Sequence, residues 1–204
     1  MCMNACTDNA SMLNPDLHPR RQRGWPRVAL LVLAVPLIAA CSPALNWREI
    51  RPKGLDILLS FPCKPQQITQ DVRLAGNTVK MSMTGCTADD MTFALAHADV
   101  KDASRVGAAL AVLHQAAVRN VGGTVTRSRA SAVDHAASGL PDALDLEISG
   151  KSPTGKPLRE RVVLFAQGSQ VYQATAFGHA KDYKPEAAQT FSGSVRLSGH
   201  GAGD

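Results

Sequence analysis

Two hydrophobic periods occur along this sequence, and their order constrains the fold more than any other feature. Apolar residues recur at every second position in residues 55–61, 91–95 and 144–148, which is the period of a half-buried β-strand. One segment, residues 102–121, has the period of a helix instead. Its apolar residues are Val106, Ala109, Leu110, Leu113 and Ala117. The sequence therefore predicts a sheet of several strands and one long helix.

Residues at the ends of these segments predict where they start and stop. Asp102 or Ser104 is the expected N-cap of the helix, since short polar side chains accept hydrogen bonds from its first N–H groups. Gly122 and Gly123 follow its predicted end, where glycine is favoured. Pro185 predicts the first position of a second, short helix because proline fits there without losing a hydrogen bond.

Two hairpins and several short strands complete the predicted order. One hairpin turns at Gly76 and Asn77, and the other turns at residues 167–169. Further short strands are predicted at residues 124–130 and 194–197. The first third of the domain is predicted to be one meander of strands. The whole order predicts an α+β fold, a mainly antiparallel sheet with one long and one short helix packed on it.

An uncharged apolar run, residues 28–40, precedes the domain. It has thirteen residues, whereas a helix that crosses a bilayer needs about 20. Four arginines and no acidic residue lie between positions 20 and 27, which is typical of the cationic start of an export signal. Residues 1–40 are therefore predicted to be a signal peptide.

The end of this run, LIAAC, resembles the lipobox of bacterial lipoproteins, with Cys41 as its cysteine. The resemblance implies cleavage before Cys41, diacylglycerol on its sulfur through a thioether and acylation of the new amino terminus. Each buried CH₂ of an acyl chain contributes about 0.8 kcal/mol, so several chains anchor a protein firmly. Ser42 follows the cysteine instead of an aspartate. In a Gram-negative cell this implies the periplasmic face of the outer membrane.

The remaining cysteines predict one disulfide. Cys2 and Cys6 belong to the predicted signal and Cys41 to the lipid, which leaves Cys63 and Cys86. Exported proteins fold in an oxidising compartment, where two such cysteines are expected to pair. A metal or redox pair would need CxxC spacing or neighbouring histidine ligands, and the sequence has neither.

These assignments divide the chain into four segments. They are a signal peptide at 1–40, a lipidated tether at 41–53, one α+β domain at 54–198 and a disordered tail at 199–204. Translation begins at Met1 or at Met12. Part of the formal net charge of +5 belongs to the signal. The sequence has no Lys/Arg cluster in the domain and only 4% aromatic residues, which argues against a nucleic-acid binder.

Short motifs also carry a resemblance to a fold family. They are the strand end FPCKP, the hairpin AGNTVKM, the segment PTGKPLRERVVLFAQGSQVYQATAFG with Tyr172, and the closing AAQTFSGSVRL. Together they resemble small bacterial exported proteins of the PsbP-like α/β/α sandwich type, over most of residues 54–197. The resemblance implies the sandwich fold and a role like that of its relatives, photosystem accessory subunits and a nuclear transport regulator, which bind partners. No functional residue is carried over by it.

Motifs of known catalytic sites are absent from the sequence. It contains no HExxH, CxxC, GxSxG or glycine-rich phosphate loop. Ser131, Asp134 and His135 have the residue types of a catalytic triad, but triad members come from distant positions, so a simple loop is expected. His97 extends the apolar face of its strand, and a structural role is predicted for it.

Two charged motifs are predicted to lie at the surface. The pair Asp89 and Asp90 has no further metal ligands nearby in the sequence, so a solvated turn is expected. Arg159, Glu160 and Arg161 are predicted to alternate as exposed charges along a strand, and the alternative is a surface that faces anionic lipid or a partner.

The expected function is that of a lipid-anchored envelope lipoprotein acting as a non-catalytic binding or accessory module, without a cofactor and without a metal site. Its expected partners are the membrane, through the lipid on Cys41, and an envelope protein, with no nucleic acid. One alternative is a small periplasmic hydrolase that uses a loop histidine. Another is a purely structural immunity or stress protein.

Overall fold

A computed structural model describes residues 44–199 of the chain. The predicted signal peptide, the predicted lipidation site Cys41 and most of the predicted tail lie outside this range. Within the range, no helix has both the length and the apolar character that a membrane crossing requires.

The described residues form ten strands and two helices. The larger sheet contains β3 (Gln66–Leu74), β4 (Asn77–Ala88), β5 (Met91–Asp99), β6 (Thr124–Ala130), β7 (Leu144–Lys151), β8 (Pro157–Gln167) and β9 (Gln170–His179). The smaller sheet contains β1 (Arg48–Ile50), β2 (Ile57–Phe61) and β10 (Arg196–Leu197). The helices are α1 (Val106–Asn120), which follows a 3₁₀ turn at Ala103–Arg105, and α2 (Pro185–Gly193).

All strand pairs in both sheets are antiparallel. The order of the larger sheet is β3-β4-β5-β9-β8-β7-β6, so α1 and strands β6 to β8 are inserted between the neighbours β5 and β9. The two predicted hairpins are β3–β4 and β8–β9. The predicted α+β class, with a mainly antiparallel sheet and two helices, is confirmed.

Helix α1 packs on one face of the larger sheet. Asp102 accepts a hydrogen bond from the N–H of Ser104 at 2.9 Å and so caps the 3₁₀ turn. Helix α1 itself has Arg105 as its N-cap, instead of the predicted Asp102 or Ser104. Gly122 follows the helix with a φ of +50°, a conformation that favours glycine. The buried side chains of α1 are those with the helical period, Val106, Ala109, Leu110, Leu113 and Ala117. Burying a side chain such as Leu110 stabilises the fold by about 1.5–3 kcal/mol.

The opposite face of the larger sheet is covered by α2 and the smaller sheet. Side chains of β8 alternate between the faces, so Leu164 belongs to the core under α1 and Phe165 to the core under α2. Phe191 of α2 is fully buried, with its ring centroid 5.1 Å from that of Phe61 and 5.5 Å from that of Phe93. The larger sheet is therefore the middle of three layers.

Strand β2 does not belong to the larger sheet, so the predicted meander is wrong at this strand. It pairs with β1 on one side and with β10 on the other. Its alternating residues Ile57, Leu59 and Phe61 are fully buried, as their period predicts. Alternation identifies the buried side of a strand but does not identify the neighbouring strand, and β10 comes from the far end of the domain.

The smaller sheet also uses residues that precede Gly54. Strand β1 lies within the segment 41–53 that the sequence assigns to a tether. Beside it, the ring of Trp47 packs edge-on against Phe93, with 6.0 Å between the centroids. The folded part of the chain therefore starts upstream of Gly54.

A disulfide between Cys63 and Cys86 is present, which confirms the predicted pairing. Cys63 follows β2 and Cys86 lies in β4, so the bond links the smaller sheet to the larger one. The two cysteines are 23 residues apart. Closing a loop of this size stabilises the fold by about 3 kcal/mol in the chain-entropy description.

Candidate functional site

Helix α1 leaves part of its face of the larger sheet uncovered, and this part forms a groove. With 15 residues the helix is about 22 Å long, whereas the 12 residues of β4 extend for about 40 Å. The groove begins where α1 ends, at Asn120 and Val121, and has a volume of about 570 Å³. Small-molecule sites in proteins have volumes of roughly 300–1,000 Å³.

Four neighbouring strands form the floor of the groove. Apolar or small side chains predominate there: Met83 of β4, Ala94 and Ala96 of β5, Leu158 of β8 and Phe177 of β9. The two alanines occupy positions where a longer side chain would fill the space. The groove is open because small residues lie on the stretch of β5 that α1 does not cover.

Glu160 is the unusual residue of the groove. It lies on β8 opposite Phe177 of β9, and only 6% of it is exposed. Its Oε2 atom is buried and has no hydrogen-bond partner among the described residues. Burial raises the pKa of the Glu160 carboxyl to about 7, because the charged form loses its hydration. A buried carboxyl group without a partner destabilises the fold. Groups of this kind are concentrated at functional sites, so Glu160 is a candidate binding residue.

Other polar groups of the groove surround Glu160. His179 lies diagonally opposite it on β9, and the buried Nδ1 of that histidine also has no partner in the described part of the chain. Thr175 accepts a hydrogen bond from the Nε2 of Gln173 at 3.0 Å. Asp90 borders the groove from the turn between β4 and β5. The described lining therefore contains two acids and one histidine but neither lysine nor arginine.

The prediction that Arg159, Glu160 and Arg161 are exposed charges is correct for Arg159 and wrong for the other two. Only 6% of Glu160 and 9% of Arg161 is exposed. The two side chains lie on opposite faces of β8, Glu160 in the groove beside α1 and Arg161 beside Asp145. Local charge suggested a surface strand, whereas the position of β8 near the middle of the sheet determines its burial.

Arg161 belongs to a polar cluster on the other face of the sheet. Its guanidinium binds the carboxylate of Asp145 through two hydrogen bonds of 3.0 and 2.7 Å, and Arg129 binds the same carboxylate at 2.6 Å. Arg159 lies over the ring of Tyr183, 5.3 Å from its centroid. The fold thus brings together three arginines, one of which is distant from the other two in the sequence. Each of the three has an interaction partner within the protein.

His97 has the structural environment that its strand position predicts. Its Nε2 donates a hydrogen bond to the Oε1 of Gln170, and its ring packs 4.9 Å from that of Tyr172. Burial lowers the pKa of His97, so its neutral form is favoured. The histidine is held by its neighbours on β9.

Ser131, Asp134 and His135 are not assembled as a catalytic triad. The buried Oγ of Ser131 has no hydrogen-bond partner in residues 44–199, so His135 does not act on it as a base in this arrangement. His135 has a φ of +62°, and its carbonyl accepts a hydrogen bond from Gln167. These contacts are those of a loop, and they do not activate Ser131 as a nucleophile.

Asp89 and Asp90 form the turn between β4 and β5, with φ values of 52° and 60°. Asp89 makes an ion pair with Lys184, so one of the two carboxylates is engaged with the segment before α2. No three His, Cys, Asp or Glu side chains in the described range lie together as metal ligands would.

Sequence reasoning missed the groove, although one signal for it was present. Val162, Leu164 and Ala166 alternate along β8 and face α1. Extending this alternation backwards places Glu160 and Leu158 on the same apolar face. The adjacent arginines concealed that signal because they made the segment resemble an exposed strand.

No protein-family model and no curated protein matches this chain. Among solved structures, the chain is similar to the crystal structure of PA94, a protein of unknown function from Pseudomonas aeruginosa. The sequence identity is 15%, and the match covers 67% of this chain and 85% of that one with a TM-score of 0.33.

Proposed function

We propose that this chain is a lipid-anchored lipoprotein of the bacterial envelope that acts as a non-catalytic binding module, and that the groove beside α1 is its ligand site. In this proposal the lipid on Cys41 attaches the protein to the periplasmic face of the outer membrane. The domain is a sandwich of the PsbP-like α/β/α type, whose relatives bind partners.

The observation that carries the proposal is the composition of the groove. Its volume of about 570 Å³ suits a small molecule or the end of a larger one. Its floor is mainly apolar, and one buried carboxyl without a partner, that of Glu160, lies within it. A mainly apolar cavity with a few convergent polar groups is the usual form of a ligand site.

Binding is tested with the neutral fluorescent probe N-phenyl-1-naphthylamine and the full chain. Ala94→Trp should fill the groove and abolish the fluorescence increase, and the smaller Ala94→Leu should weaken it. Ala130→Trp is the matched control, since Ala130 is exposed on β6, away from the groove. Circular dichroism checks that each variant is folded.

The proposal predicts saturable probe binding to the wild type and to Ala130→Trp. Equal binding by the folded Ala94 variants would place the ligand elsewhere and contradict the role of the groove. The anchor has a separate test, because Cys41→Ala should lose palmitate labelling. Unchanged labelling of that variant would exclude Cys41 as the lipidation site.

A further inference from the structure

The charges of the groove have one sign. Asp90 and Glu160 are the acidic residues of its described lining, and no lysine or arginine accompanies them. Aliphatic and aromatic side chains supply most of the remaining surface. Electrostatic complementarity therefore favours a ligand that carries a positive charge on an apolar body.

We propose that Glu160 binds the protonated amino group of a cationic amphiphile, while the apolar part of this ligand lies against Ala94, Ala96 and Phe177. This inference rests on the proposed function of the groove, to which it adds the class of ligand. An ammonium group in the groove would give the Glu160 carboxylate a hydrogen-bond partner, and the buried Oε2 of this group has none in the described part of the chain.

The chemistry of this contact ranks related ligands. A hydrogen bond between an ammonium group and a carboxylate is roughly twice as strong as one between neutral groups. A hydroxyl group could occupy the same place with a weaker bond. A carboxylate ligand would meet Glu160 with a like charge and would be disfavoured.

The proposed contact depends on pH because the ammonium group requires the ionised form of Glu160. Burial raises the pKa of this carboxyl to about 7. Across the sheet, its neighbours are Ile148 on β7 and Phe177 on β9, with His179 diagonally opposite. The end of α1 contributes no charged group to the groove, and Asp90 is the other acid that borders it. Below about pH 7, each bound amine therefore displaces one proton from Glu160 into solvent.

The test is calorimetric titration of the full chain with decylamine, decanol and decanoate. The two charged ligands are kept below their micellar concentrations and decanol below its solubility limit. Decylamine should bind about tenfold more tightly than decanol at about pH 8, and decanoate should bind most weakly. Decylamine affinity should fall about tenfold between about pH 8 and about pH 6, following the ionised fraction of Glu160. Decanol affinity should not change over that range.

Two variants separate the titrating groups. Glu160→Gln should bind decylamine and decanol equally and lose the pH dependence. His179→Gln should keep both the preference and the pH dependence, which excludes protonation of His179 as their cause. Glu49→Gln is the matched control, since Glu49 is exposed on β1.

Each outcome decides one of the two proposals. Unchanged decylamine affinity in Glu160→Gln would overturn the amine inference, whereas decanol binding in the same variant would leave the groove as a ligand site. A wild type that binds decanol and decanoate as tightly as decylamine would also overturn the inference. If the chain binds none of the three ligands and not the neutral probe, the proposed function itself fails.

Discussion

Replacing Glu160 by glutamine should make the protein more stable at neutral and alkaline pH. The glutamine side chain has nearly the same shape but no charge. In the wild type, the carboxylate lies in a groove where 6% of the residue is exposed and Oε2 has no partner within residues 44–199. Keeping this group ionised costs free energy, and the uncharged variant avoids the cost.

The magnitude follows from the pKa of the carboxyl. Burial raises it from 4.5 to about 7. A carboxyl whose pKa is higher in the folded state takes up a proton on folding between these two values. The stability that Glu160 contributes is therefore lost as the pH rises from about 4.5 to about 7. A difference of one in pKa corresponds to about 1.4 kcal/mol, so the total loss is about 3 kcal/mol.

The assay is urea unfolding of the wild type and Glu160→Gln at a series of pH values. The difference in unfolding free energy should grow by about 3 kcal/mol between about pH 4 and about pH 8, in favour of the variant. Glu49→Gln, a change at an exposed position, should show a difference that is nearly constant with pH. A constant difference for Glu160→Gln as well would refute the claim that this carboxyl is desolvated.

Three further predictions concern the framework that holds the groove. Replacing Cys63 and Cys86 together by serine should lower the unfolding free energy by about 3 kcal/mol in urea titrations under non-reducing conditions. Asp145→Asn should cost about 3 kcal/mol in the same assay, because it leaves the buried guanidinium of Arg161 without its carboxylate. Phe191→Ala should cost about 3–5 kcal/mol, since the ring is fully buried between the sheets.

Each of these three stability predictions has its own control or its own contradicting result. Asp71→Asn breaks an exposed ion pair with Lys80 and should cost less than about 1 kcal/mol, so an equal loss in Asp145→Asn would contradict the buried pair. A serine double variant as stable as the wild type would mean that the disulfide adds nothing to stability. A loss below about 1 kcal/mol in Phe191→Ala would contradict a close-packed contact between the layers.

Local periods in the sequence predicted most elements but not their neighbours. The buried side of α1 follows from residues that are at most four positions apart, such as Val106, Ala109 and Leu110, and it is confirmed. The hairpins are confirmed for the same reason, because adjacent strands pair through short turns. The pairing of β2 with β10 depends on contacts between distant parts of the chain, which no local pattern contains.

The groove was beyond prediction for a related reason. It exists because α1 is shorter than the strands beneath it and because Ala94 and Ala96 are small where the helix is missing. No sequence motif indicates either the shortness of the helix relative to the strands or the open space above these alanines. Glu160 was predicted to be exposed from its charged neighbours, whereas burial depends on the strands β7 and β9 on either side of it.

Methyl NMR of the full chain titrated with decylamine reports directly where on the domain the amine binds. If the amine binds in the groove, the largest shift changes are expected at the methyl groups of Met83, Ala94, Ala96 and Leu158, which line it. The methyl groups of Ile68 and Ala130, exposed elsewhere on the sheet, should stay unchanged. Changes confined to residues outside the groove, or none at saturating ligand, would contradict binding in the groove.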